Sequence, residues 1–293
     1  MFNPRGCFTA IVTPFTPDGA AVDTARLEEQ VRFQAGGGVA GIVPCGTTGE
    51  SPTLTEREHI EVVTTALAVG RPRGLQVIAG AGSNSTAHAV HLHRLALRAG
   101  ADAALQVNPY YNKPSQEGLY RHFMTIADSA ELPVVLYNIP GRSGVALTPA
   151  TVARLAAHPN IVAIKEATGS LDSASEILQR CSIALLSGDD SLTLPFASVG
   201  GTGVVSVVSN ILPTEVQGLC HAFLSGEWGR ALAIHRQLFP LCRGLLSLDT
   251  NPIPIKAAMA LLGRDSGALR LPMCTAGAEA LREIERLVGQ MGG

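Results

Sequence analysis

The chain has 293 residues, 46% of them hydrophobic and 16% charged. That balance supplies apolar side chain for a large core and excludes a disordered polypeptide. The formal net charge of -2 argues against nucleic acid as a partner, because neutralising a phosphate backbone takes a clustered excess of Lys and Arg.

Short β-branched apolar runs alternate with longer amphipathic stretches, and the runs are too continuously apolar for half-exposed antiparallel strands. Strands are predicted at Phe8 to Thr13, Gly41 to Pro44, Gln76 to Gly80, Ala103 to Val107, Val134 to Asn138, Val162 to Lys165, Ala184 to Ser187 and Gly203 to Ser206. Helices are predicted between them, at Asp23 to Ala35, Glu56 to Val69, Ser85 to Ala99 and Gln116 to Ala130, several opening on a residue suited to capping. Eight βα repeats imply a closed (β/α)8 TIM barrel, although periodicity alone leaves an open doubly wound sheet in play. From Pro213 onward only helical stretches follow: Glu215 to Leu224, Glu227 to Leu246, Ile253 to Leu262 and Ala276 to Val288. Residues 1–225 are therefore expected to form the barrel and residues 226–293 a C-terminal helical region.

The apolar run from Phe8 to Val12 is too short for the core of a signal peptide, and no stretch is long enough to span a membrane. A cytoplasmic location is expected. The six cysteines lack CxxC or metal-ligand spacing, so free thiols are expected rather than disulfides.

Only three lysines occur, Lys113, Lys165 and Lys256, against nineteen arginines. Lys165 ends the run Ile161-Val-Ala-Ile-Lys, at the C-terminal end of a strand where barrel enzymes carry their active sites. An amine there can attack a ketone, but position alone serves an ion pair with Glu166 equally well. Tyr137, at the end of the preceding strand, favours catalysis, because a phenol beside the amine can move protons as a carbinolamine forms and dehydrates. Gly46-Thr-Thr-Gly-Glu follows the second strand and offers amides and two hydroxyls to a carboxylate, or else it is a turn with a capping threonine. Arg142 offers a guanidinium fork to a second carboxylate or an ordinary surface charge.

Asp189-Asp190 after the seventh strand could hold a metal, but Asp190-Ser191 just before an apolar helix reads better as a helix N-cap, and adjacent carboxylates point to different faces. His88, His91 and His93 are expected on a solvated or interface face, with no carboxylate completing a ligand set.

Together Gly46-Thr-Thr-Gly-Glu-Ser, Asn108-Pro-Tyr-Tyr-Asn-Lys-Pro-Ser-Gln-Glu-Gly, Tyr137-Asn-Ile-Pro-Gly-Arg-Ser-Gly, Ile164-Lys-Glu-Ala-Thr-Gly, Leu186-Ser-Gly-Asp-Asp and Asn251-Pro-Ile-Pro-Ile-Lys resemble the dihydrodipicolinate synthases, in register over nearly the whole chain. These belong to the pyruvate-dependent class I aldolase superfamily that includes the N-acetylneuraminate lyases. The resemblance implies a Schiff base between Lys165 and pyruvate, a proton relay of Tyr137, Thr47 and Tyr111, and a homotetramer in which Tyr111 reaches in from a neighbouring subunit. It further implies that Thr48 binds the pyruvate carboxylate, Arg142 grips aspartate semialdehyde, and the backbone carbonyl of Val205 faces the bound pyruvate. No metal or organic cofactor is implied. Other aldolases of the superfamily share the Lys165 and Tyr137 pattern but usually differ at positions 142 and 47, and a binding paralogue would lose one of Lys165, Tyr137 or Thr47. The lysine-feedback site of this family matches Ser51, Pro52, Glu56, His59, Asn84, His88 and Tyr110. Lysine-sensitive members have alanine, histidine and glutamate where this chain has Pro52, Glu56 and His88, so weak or absent inhibition is expected.

Overall fold

The computed structural model describes residues 2–290, so residues 291–293 of the expected helical region lie outside the described residues. Eight parallel strands close on one another in chain order: β1 (Gly6–Thr9), β2 (Gly41–Ile42), β3 (Gln76–Gly80), β4 (Ala103–Val107), β5 (Val134–Asn138), β6 (Ile161–Glu166), β7 (Ala184–Ser187) and β8 (Gly203–Ser206), with β8 pairing back to β1. The helices are α1 (Thr24–Gly36), α2 (Glu56–Gly70), α3 (Thr86–Ala99), α4 (Gln116–Asp128), the single turn α5 (Pro140–Ser143), α6 (Pro149–Leu155), α7 (Leu171–Arg180), α8 (Thr193–Ser198) and α9 (Pro213–Leu224). Beyond these lie α10 (Trp228–Leu248), α11 (Ile253–Leu261) and α12 (Ala278–Gly289).

Closure settles the choice between barrel and open sheet, and the side chains explain it. Alternate strand residues point inward, where Phe8, Ile78, Leu105, Val135, Ala163 and Val205 fill the barrel, while the intervening ones pack against the helices. Gly203 lets β8 approach β1, since a Cβ there would sit 2.1 Å from the Gly6 carbonyl oxygen. Capping sets the helix starts. Asp23, Thr55, Ser85 and Ser115 each accept a hydrogen bond from a first-turn amide, and Thr55 with Glu58 completes a capping box.

The expected strands at Phe8 to Thr13 and Gly41 to Pro44 are longer than the ladders observed, Gly6–Thr9 and Gly41–Ile42. The apolar run after Thr9 is buried without being paired along its length: the Val12 amide donates to the Asn210 side chain. Apolar periodicity reports burial, and here burial continues past the last rung of the sheet.

Candidate active site

Lys165 and Tyr137 occupy matching positions on the neighbouring strands β6 and β5, so both side chains enter the barrel at the same level. Lys165 is 6% exposed and Tyr137 4%, and the Lys165 Nζ stands 4.0 Å from the centre of the Tyr137 ring. Glu166, one residue on, faces the other way. Its carboxylate accepts from Asn138 Nδ2 at 3.0 Å and from the Thr168 amide at 2.8 Å, and burial pushes its pKa up. The ion pair between Lys165 and Glu166 that sequence position allowed is thereby replaced by an amine and a phenol sharing one interior.

The outward-facing residues brace the loops above. Asn138 holds both the amide and the carbonyl of Leu147, and Asn108 binds Asn138 and the Val145 carbonyl. These bonds fix the segment after β5 that carries Arg142. Arg142 is exposed and lines the mouth of the cavity. Its Nη2 donates to the Asn251 carbonyl at 3.0 Å, and the Asn251 side chain donates to Thr48 Oγ1 at 3.0 Å. One residue from the C-terminal region thus ties together the two expected carboxylate-binding groups. Asn251 stood in the sequence only as part of a motif, because nothing local reveals a partner two hundred residues away.

The Thr47–Thr48 segment is held between two left-handed residues, Cys45 at φ 56° and Glu50 at φ 52°, a region uncommon for side chains other than glycine. The loop lies directly on the end of β3: a Cβ at Gly80 would come within 2.0 Å of the Cys45 carbonyl oxygen. Thr13 Oγ1 donates to the Gly49 carbonyl at 2.6 Å. Glu50 is buried against Lys256, with Nζ to Oε1 at 2.7 Å, and its other oxygen accepts from the Arg270 amide at 3.1 Å.

Asp190 is not the helix N-cap expected of it. It opens a short 3-10 turn, and its carboxylate accepts from Ser206 Oγ and from the amides of Val207 at 2.8 Å and Val208 at 3.1 Å. These bonds pin the end of β8 just beyond Val205, and burial raises the Asp190 pKa against their opposing effect. Asp189 is raised by burial as well, with the Lys165 ammonium pulling it back.

Thr47, Tyr137 and Arg142 line a cavity of about 520 Å³ that continues outward to Ser51, Glu56, His59, His88 and Tyr110. Thr48, buried, is linked to it through Asn251, and Val205 is buried on β8 in the barrel interior. Tyr111 alone among the expected relay residues stays away, 89% exposed on a left-handed turn at φ 75°.

Two of the three histidines lie as expected and one does not. His88 and His91 are exposed, with ring centres 6.2 Å apart, and His91 Nε2 meets Glu56 Oε2 at 2.8 Å. His93 is fully buried rather than solvated, and burial takes its pKa down to about 4. Among the described residues no three His, Cys, Asp or Glu side chains gather as a metal site, and the six cysteines are all unpaired. No helix among the described residues is long and apolar enough to cross a membrane.

Comparison with known proteins covers nearly the whole chain. The sequence pattern of the dihydrodipicolinate synthetase family matches residues 3–291. The 4-hydroxy-tetrahydrodipicolinate synthase of Geobacter sulfurreducens is 52% identical over 272 residues, covering 92% of each chain. Among solved structures, the 4-hydroxy-tetrahydrodipicolinate synthase of the thermoacidophilic methanotroph Methylacidiphilum fumariolicum SolV superposes with a TM-score of 0.96 at 45% identity, covering 99% of this chain and 96% of that one. The dihydrodipicolinate synthase of Aquifex aeolicus gives a TM-score of 0.95 at 43% identity, over 99% and 98% of the two chains. An amine and a phenol set level inside a closed barrel, and a likeness in sequence and shape that runs nearly from end to end, lead to one conclusion: the chain belongs to the dihydrodipicolinate synthetase family.

Proposed function

We propose that the protein condenses pyruvate with L-aspartate 4-semialdehyde through a Schiff base on Lys165, giving 4-hydroxy-tetrahydrodipicolinate for lysine and diaminopimelate biosynthesis. The observation that carries this reading is the level placement of Lys165 and Tyr137 in the barrel interior, 4.0 Å from amine to ring centre, with Tyr137 also lining the cavity. The Lys165 amine adds to the keto carbon of pyruvate, and loss of water leaves a protonated Schiff base that acts as an electron sink. Loss of a methyl proton gives an enamine, whose carbon attacks the aldehyde. The substrate's own amine then displaces Lys165 and closes the ring. No step as written calls on a metal or an organic cofactor.

Tyr137, Thr47 and Tyr111 carry protons, Thr48 receives the pyruvate carboxylate, and the Val205 carbonyl faces the bound pyruvate. A single chain leaves Tyr111 in solvent, which supports its delivery to a second copy's cavity in a homotetramer built as a dimer of dimers. One solved relative, at a TM-score of 0.95, is a monomeric dihydrodipicolinate synthase variant. A cytoplasmic enzyme of primary metabolism fits the free cysteines. The test is a coupled assay with pyruvate and aspartate semialdehyde, following reduction of the product by the next enzyme of the lysine pathway. Absence of turnover while pyruvate is still trapped on Lys165 by borohydride would send the search to other aldehydes.

Arg142 reaches the cavity mouth with its fork held by the Asn251 carbonyl. Arg142→Ala is expected to raise the KM for aspartate semialdehyde about tenfold to a hundredfold, as loss of a charge-assisted pair does, while KM for pyruvate changes little. An equal rise in both would remove the assignment.

Lysine is expected to be a poor inhibitor. His88 stands where lysine-sensitive members carry a glutamate, and the nearby carboxylate of Glu56 is already met by His91 at 2.8 Å. An effector's amines would therefore find no free carboxylate among these residues. Steady-state rates titrated with lysine check this, and strong suppression at millimolar lysine would contradict it.

A further inference from the structure

Lys256 sits on α11, outside the barrel, and the reaction sequence gives it no task. It is nevertheless fully buried, a costly position for a cation unless it is paired and hydrogen-bonded. Its Nζ meets Glu50 Oε1 at 2.7 Å and the Thr13 carbonyl at 2.9 Å, and stands 4.4 Å from the centre of the Phe15 ring. The Arg270 guanidinium covers the same ring at 4.3 Å while its own amide donates to Glu50 Oε2. Glu50 is left with both oxygens occupied.

Stability alone is a weak reason for such a pair, because well-packed apolar residues often replace buried ion pairs without loss. Its location supplies a better one. Glu50 closes the Gly46-Thr-Thr-Gly-Glu segment in a left-handed conformation at φ 52°, and Thr13, whose carbonyl Lys256 also holds, binds the Gly49 carbonyl through its hydroxyl. Lys256 therefore grips the Thr47–Thr48 loop at its C-terminal end, at Glu50 directly and at Gly49 through Thr13. Asn251, just before the same helix, reaches Thr48 directly.

We infer that Lys256 is a positioning residue: acting through Glu50, it fixes the Thr47 and Thr48 hydroxyls in register with Lys165, so that the C-terminal helices are part of the pyruvate-binding apparatus. This inference rests on the roles given above to Thr47 and Thr48. Displacement of a substrate-holding group by about 1 Å is enough to cost up to ~100-fold in rate, and a loop released from Glu50 has that freedom.

The experiment uses the full chain carrying Lys256→Met together with Glu50→Gln, which removes the charge pair without stranding either partner. Lys256→Arg is run beside it, keeping the charge on a longer, planar head. Both are measured well below their melting temperatures, with KM for pyruvate and kcat determined separately. The expected result is a KM for pyruvate raised about tenfold or more and kcat lowered by a similar factor in the folded double variant, with Lys256→Arg lying between it and the parent. In the double-variant background Thr48→Val is expected to add little, because residues acting through one another are not additive. If the melting temperature alone changes, while kcat and KM stay within about twofold of the parent in whichever variant folds, the pair is structural and the inference is overturned. Thr48→Val in the parent separates the two readings. If it leaves KM for pyruvate unchanged, the assignment of Thr48 fails; if it raises KM while the Lys256 variants do not, only the positioning role fails.

Discussion

Lys165→Met is expected to lower turnover by at least ~10,000-fold, the scale on which loss of an enzyme's nucleophile is felt. Methionine matches the length of the lysine stem and keeps its packing in the barrel while removing the amine. Lys165 is 6% exposed and its Nζ stands 4.0 Å from the centre of the Tyr137 ring. Exchanging a desolvated ammonium for a thioether there is expected to leave the melting temperature equal or higher, as often happens when an active-site residue is removed. Lost activity then cannot be assigned to lost fold. Borohydride with pyruvate supplies the second readout: the parent gains a stable mass increment on the peptide containing Lys165, and the variant gains none. Retained turnover, or an adduct on Lys113 or Lys256, would sink the assignment.

Much of the barrel was legible because its strands are short and apolar and because capping residues stand where helices begin. The ladders β3, β4, β5, β7 and β8 fall where short apolar runs placed them. Lys165 and Tyr137 were legible for the same reason: each ends such a run, and parallel pairing of consecutive strands makes them neighbours. What failed to show in the sequence has no local signature. Asp190 stands before an apolar helix as an N-cap would, yet its carboxylate turns to the amides after β8. His93 shares α3 with the exposed His88 and His91, and only the packing of that helix buries it. The grip of Lys256 on Glu50 spans 206 positions. Only the closing of the barrel and the return of α11 over its mouth bring that pair together.

Tyr137→Phe is expected to lower kcat by about a hundredfold to ten-thousandfold, the range over which a positioned proton carrier acts, while KM for pyruvate changes far less. Phenylalanine retains the ring that packs with Leu105 and Val135 inside the barrel and faces the Lys165 Nζ, so the fold and the amine's surroundings are kept. Only the hydroxyl is lost. The two early steps, addition of the amine and departure of water, each need a proton moved at the carbinolamine, and that is where the phenol is required. Single-turnover mixing with pyruvate and borohydride should therefore give the same final adduct on Lys165 as the parent, formed more slowly by a factor close to the loss in kcat. An unchanged trapping rate with a lowered kcat would move the phenol's duty to the later carbon–carbon bond-forming step. Unchanged kcat would remove Tyr137 from the relay altogether and leave its ring as packing beside the amine.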